Sequence, residues 1–388
     1  MRVYFHLLAI FLLLNYSNSL AEATDITPKI PPGYQPIDVQ TERGLWMELE
    51  EYETAIKQSA LLVKDKQIND YVKSAACKVA GDYCNDLRVY IIRNPGFNAS
   101  MTANGIMQVW TGLLVRVSDE HELAAVLGHE LAHYTQLHTL ERLRQINEKM
   151  ASGSIIDFGI LLATGVPVPV GQLSAIASLM AFSQDQEEEA DLLGVKFMAQ
   201  SGYNPNAAAR VWEMIVEEEE EAVAKSREPD MFSKTHPSST DRIVNLKSFV
   251  NETYPKIKGV KENINRHTNI LEQYYMMLME DQLDTNRFGR TQNILRTHME
   301  IGVKPGLIYF FQGEMYRQRK GEGDLDLAKK SYKLAINSDE PIADAYRNLG
   351  YIELKQGNSS QAIEMFSHYL ELKPDADDRA MIEFYLQE

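Results

Sequence analysis

His129-Glu130-Leu131-Ala132-His133 is the stretch on which the fold turns. A helical residue advances ~100°, so His133 lies only ~40° round from His129 and both imidazoles reach one metal ion. Glu130, one step on, is placed to take a proton from a water held there. A helix from about Ser118 carries the motif, and Asp119 and Glu120 suit the positive end of its dipole.

A zinc site needs a third protein ligand and a fourth position open to water. The scheme that takes a histidine shortly downstream fails, because it wants Gly at 136 and His at 139 where the chain has Gln136 and Thr139. His138 is half a turn away from His129 on a continuous helix and is no substitute. The chain instead offers Glu187-Glu188-Glu189-Ala190-Asp191 downstream. On one helix Glu187 and Asp191 share a face with Ala190 and Gly194, small residues that let this helix approach the metal helix closely. Glu187 is the expected ligand, and Asp191 accepts a hydrogen bond that fixes the tautomer of a ligand histidine. Glu188 and Glu189 point away on this geometry.

Upstream of the motif, helical patterning runs from about Leu45 to Ala80. Leu87, Val89 and Ile91 then alternate with polar positions as in a half-buried strand, and Gly105 to Trp110 reads as a second strand. Few strands followed by many helices make an α+β arrangement. The two cysteines, Cys77 and Cys84, are too far apart for a bridge on one continuous helix. Gly81-Asp82 reads as a helix end and turn that folds one back on the other, so a disulfide is expected, with two free thiols as the alternative.

The first 21 residues have the form of a signal peptide: Arg2, an apolar run from Val3 to Leu14, then Ser19-Leu20-Ala21 before the cleavage point, with Ala23 as an alternative end. The expectation is an exported, periplasmic protein. From Ile155 to Phe182 a second apolar stretch is broken by Pro167 and Pro169, which cannot sit inside a helix. It reads as a helical hairpin in the core or over the active site, the alternative being shallow contact with a membrane surface. Across 388 residues the net charge is −16, which argues against nucleic acid as a partner.

The last third is periodic. Ala328, Tyr332 and Ala335 recur 34 residues later as Ala362, Phe366 and Tyr369, with Gly313 and Gly350 opening successive units and Pro374 closing the second. This is the tetratricopeptide pattern, in which large and small residues interlock two antiparallel helices. Three extra residues fall at Gly321-Glu322-Gly323, and Tyr274 to Leu283 with Ile294 to Met299 suggests a further helical pair. Such an all-α solenoid presents a surface for protein segments and has no chemistry of its own.

The metal motif with Glu187-x-x-x-Asp191 resembles the gluzincin peptidases of family M48, which include HtpX and the CAAX prenyl proteases. Asn98-Ala99, Thr111-Gly112-Leu113-Leu114, Ser201-Gly202-Tyr203-Asn204-Pro205 and Thr235-His236-Pro237 with Arg242 match as well. The likeness covers about Leu45 to Val250, and the appended repeats point to the periplasmic BepA-type branch. It departs at Ser100-Met101-Thr102-Ala103-Asn104, where relatives often have a more apolar, Gly-rich segment.

The resemblance implies a zincin-like, mainly helical domain with a small sheet, one zinc ion per chain, and His236 and Arg242 close to it. His236 would stabilise the oxyanion or close the fourth position as a self-inhibiting ligand, while Arg242 would orient acidic side chains. The strand from Ile106 to Val109 would be the edge on which an extended peptide is laid out. The implied protein is a zinc metalloendopeptidase acting on misfolded or stalled envelope proteins, in quality control and outer-membrane protein assembly. Its expected layout is a signal peptide over residues 1–21, a peptidase domain over 45–253 and tetratricopeptide repeats over 264–388. The competing expectation is a periplasmic chaperone or adaptor that binds protein partners through the repeats and has a latched or structural zinc site.

Overall fold

The computed structural model describes residues 26–35, 40–150, 181–224, 230–237, 239–256 and 264–387, which divide into two compact units, 1–263 and 264–388. The signal-peptide reading and nearly all of the apolar stretch from Ile155 lie outside the described residues; Ala181 and Phe182 lie within them.

In the first unit, α1 (Gln40–Gln58) and α2 (Lys66–Ala80) precede the sheet. Asp65 caps α2 by accepting from the Gln67 N–H, and the helix ends at Gly81, whose left-handed φ of 55° turns the chain back. That turn brings Cys84 over the last turn of α2, where it is bonded to Cys77. A disulfide across so short a loop constrains the unfolded chain by about 2–3 kcal/mol in the chain-entropy account.

The sheet has the order β1-β3-β2, with β1 (Arg88–Ile92) parallel and β2 (Ala99–Met101) antiparallel to β3 (Ile106–Trp110). This differs from the sequence expectation for the peptide-binding edge. β3 is the central strand, buried along four of its five residues, and the edges are β1 and β2. Three residues are too few to leave a periodic signature in the sequence, which is why β2 escaped it.

After a short turn, α3 (Thr111–Leu114), comes α4 (Glu120–Thr135), capped by Asp119 accepting from the Glu122 N–H at 2.8 Å. Every residue of α4 is buried, so the helix runs through the centre of the unit. It packs against α2, β2, α6 (Gln184–Gln200) and α7 (Asn206–Ala224). A helix buried all round cannot display an amphipathic stripe, so its metal motif announces it better than its hydropathy does. Next in the chain is α5 (His138–Met150), and beyond α7 lie α8 (Met231–Thr235) and α9 (Thr240–Thr253).

The crossing of α4 and α6 depends on two glycines. A Cβ on Gly194 would lie 3.0 Å from the His129 nitrogen, and one on Gly128 would lie 3.2 Å from the Gly194 carbonyl oxygen. Gly194→Val therefore forces apart the two helices that carry the metal motif and Glu187. Its expected cost is about 1–3 kcal/mol of overpacking, read by chemical denaturation. A variant as stable as the parent would show that the crossing has slack.

The second unit is a series of helical pairs: α10 (Ile264–Asp284) with α11 (Phe288–Glu300), α12 (Pro305–Arg319) with α13 (Asp324–Ile336), and α14 (Ala343–Lys355) with α15 (Ser359–Leu372), followed by α16 (Arg379–Gln387). Equivalent contacts recur in successive pairs. A Cβ on Gly313 would meet the Tyr332 ring at 2.5 Å, and a Cβ on Gly350 would meet the Phe366 ring at 2.6 Å. Glu314 joins neighbouring pairs by accepting from both the Tyr332 hydroxyl and the Asn348 amide. The extra residues are absorbed where Lys320 and Gly323 take left-handed conformations and Asp324 accepts from Arg319 at 2.6 and 2.9 Å.

Candidate metal centre

His129, His133, Glu187 and His236 each offer one ligand atom, and these atoms lie within 4.8 Å of one another in a buried site. Two come from α4, one from the first turn of α6 and one from the residue that ends α8. The capping box between Ser183 and Gln186 fixes where α6 starts and so where Glu187 emerges.

The spacings are those of a cage around a small ion. His129 Nε2 lies 3.1 Å from His133 Nε2 and 3.3 Å from His236 Nδ1. Glu187 carboxylate oxygens lie 3.5 Å from His129 Nε2, 3.5 Å from His133 Nε2 and 3.0 Å from His236 Nδ1. A tetrahedron with bonds of ~2.0–2.1 Å, as zinc makes to nitrogen and oxygen, has edges of roughly 3.3–3.4 Å. Three imidazoles with one carboxylate is also a donor set that suits zinc among the divalent metals. The residues fit the ion.

Around the cage stands a layer of polar contacts. His129 Nδ1 lies 3.0 Å from Asp191. Arg242 donates to Asp191 twice, from Nε and Nη2, both at 2.8 Å, and from Nη1 to the Pro237 carbonyl at 2.9 Å. The same Nη1 lies 2.7 Å from Glu187, and the guanidinium stacks 3.6 Å from the centre of the Trp212 ring. The indole N–H of Trp212 also donates to Asp191. One cation thus holds the ligand carboxylate, the acceptor behind His129 and the loop that bears His236.

Burial disfavours charge on Glu187, but the nearby His236 imidazole, with His129 and His133 around it, holds its pKa well below the carboxylate range. Burial likewise opposes charge on Asp191, and the Arg242 guanidinium outweighs it. Glu130 is shifted the other way: burial raises its pKa despite the nearby histidines. It accepts from the Met101 N–H of β2 and lies 3.4 Å from His236 Nε2, yet its Oε1 has no hydrogen-bond partner. A buried carboxylate with a spare acceptor atom beside the cage is equipped to exchange protons with a small molecule there.

Two features were not legible in the sequence. α4 stops at Thr135 and the chain turns through Leu137, whose φ is 63°, so His138 does not continue round the helix. Its Nδ1 comes to 3.0 Å from His133 Nδ1, and its Nε2 to 3.0 Å from Glu189. Glu188 is exposed as expected, but Glu189 does not point away: it is half-buried against His138. The second feature is aromatic cover. Phe182 stacks on the His133 ring at 3.9 Å between centroids, and Phe232 stacks on His236 at 4.5 Å.

Residues 63–250 match the family model described as Peptidase family M48. This stretch of the chain carries the M48 family's pattern. It is 24% identical over 274 residues to a putative beta-barrel assembly-enhancing protease of Vibrio cholerae, covering 66% of this chain and 55% of that one. It is 26% identical over 226 residues to the beta-barrel assembly-enhancing protease of Escherichia coli K12, covering 55% and 45%. It is 31% identical over 191 residues to the mitochondrial metalloendopeptidase OMA1 of Schizosaccharomyces pombe, covering 45% and 53%. The chain spans about half the length of these curated relatives. Among the described residues, no helix is long and apolar enough to cross a membrane.

Proposed function

We propose that the chain is an exported zinc metalloendopeptidase, holding one zinc ion and hydrolysing peptide bonds of misfolded or stalled envelope proteins. The observation that carries this reading is the buried cage of His129, His133 and Glu187 with Glu130 beside it. Zinc, when bound, supplies a Lewis acid that polarises a peptide carbonyl and makes water a better nucleophile near neutral pH. Glu130 takes the proton from the attacking water and returns it to the leaving amine. A structural metal site has no use for such a base. The paired helices with their Gly313–Tyr332 and Gly350–Phe366 contacts support a tetratricopeptide stack that binds polypeptide segments. The beta-barrel assembly-enhancing relatives favour envelope proteins as substrates.

A specific contact favours a latched resting state: His236 Nδ1, rather than open space, faces His129 Nε2 at 3.3 Å and Glu187 at 3.0 Å. His236 thereby stands at the corner that water or substrate must take. His236→Ala is expected to raise basal hydrolysis. A fall would assign His236 to oxyanion stabilisation instead.

Hydrolysis of an unfolded protein by the chain lacking residues 1–21 tests the main reading. Cleavage should stop with a chelator and return with zinc. Zinc bound one to one without cleavage, in the parent and in His236→Ala alike, would leave the adaptor reading in its place.

A further inference from the structure

His133 must offer Nε2 to the cage, since that atom lies 3.1 Å from His129 Nε2 and 3.5 Å from Glu187. A neutral imidazole that presents one lone pair carries its hydrogen on the other nitrogen. That hydrogen is therefore on Nδ1, which lies 3.0 Å from His138 Nδ1. His138 must accept there, so its own hydrogen is on Nε2, which lies 3.0 Å from Glu189 Oε2. Every donor in the chain meets an acceptor, and no other arrangement of two neutral rings satisfies both contacts while leaving His133 Nε2 bare.

We propose that His138 is a positioning residue for the metal centre: it accepts from His133 Nδ1–H, is itself held by Glu189, and so locks the tautomer and ring plane of the second metal-facing histidine. The inference rests on the zinc reading above and adds residues to it. It gives the two histidines of the motif different supports, a carboxylate behind His129 and an imidazole–carboxylate pair behind His133. The fold builds the second support deliberately. On an unbroken helix His138 would sit ~140° round from His133. The left-handed turn at Leu137 bends the ring back instead, and His138 is then 1% exposed. Thr139, next in the chain, fixes the far side of that bend by donating to the Met101 carbonyl at 3.1 Å.

The test is zinc affinity of the full chain, measured by competition with a chromophoric chelator, together with the absorption spectrum of the Co2+-loaded protein. Partners behind a ligand histidine are worth about 10–100-fold in metal affinity. His138→Phe keeps the ring volume without the acceptor, so it should weaken zinc binding by about 10-fold or more and shift the Co2+ bands. His138→Asn keeps an acceptor oxygen near the Nδ1 position and should recover most of that loss. Glu189→Ala, at a half-buried position, should weaken zinc binding by a smaller factor. Equal affinities for parent, His138→Phe and Glu189→Ala would overturn the proposal while leaving the metal centre standing. Equal losses in His138→Phe and His138→Asn, matched by equal drops in Tm of the metal-free proteins, would also overturn it in favour of a packing role. A parent chain that binds no zinc would remove the metal centre and this proposal together.

Discussion

Glu130→Gln is expected to lower the hydrolysis rate by about 10²–10⁴-fold, the usual worth of a positioned general base, while leaving zinc bound one to one. The two effects separate because Glu130 is not among the four donors of the cage. Its carboxylate sits beside that cage with one oxygen unpartnered and its pKa raised by burial, so it holds a proton more readily than a solvated glutamate does. Glutamine has the same shape and can keep a carbonyl oxygen towards the Met101 N–H, so the packing around α4 is preserved. It has no carboxylate to receive the proton. Initial rates on an unfolded protein, with zinc content determined on the same samples, check the prediction. A variant within tenfold of the parent would remove Glu130 from the role of base.

Removing Arg242 should cost more stability than any other single change near the site. Arg242→Leu leaves the Asp191 carboxylate, which had accepted two bonds at 2.8 Å, and the Glu187 carboxylate, 2.7 Å from the same guanidinium, without their cation. Breaking a buried ion pair by removing one partner costs about 3–5 kcal/mol, since the remaining charge stays desolvated. The stack on Trp212 is lost as well. Denaturation of the metal-free chain should show the full loss. Saturating zinc should offset part of it, because the ion itself compensates Glu187. Arg242→Lys should rescue little: one ammonium cannot reproduce the double contact to Asp191 and also reach Pro237. A loss below about 1 kcal/mol in Arg242→Leu would mean that the cluster is far better solvated than its burial implies.

The parts of this protein that were legible in advance are those carried by local periodicity. Two histidines four residues apart, a carboxylate pair sharing a face with Ala190 and Gly194, and a pattern repeating every 34 residues all depend on helical geometry alone. The hidden parts depend on where the chain goes between elements. The left-handed turn at Leu137 swings His138 onto His133, and Glu189, assigned to solvent by its helix angle, is drawn in by that histidine. β3 lies in the middle of the sheet, between β1 and a β2 only three residues long.

By itself the sequence determined the metal motif, its acidic partner helix, the cysteine pair and the repeat period, because each rests on short-range spacing, a local turn or a recurring pattern along the chain. Only the tertiary structure decided that His138 stands behind His133, which strands form the sheet edges, and that a nitrogen of His236, 107 residues from His129, comes within 3.3 Å of it. Those outcomes follow from the close crossing of α4 and α6 at Gly128 and Gly194 and from the shared hold of Arg242 on Asp191, Glu187 and Pro237. Packing distance and buried charge act across the chain, and no local periodicity records them.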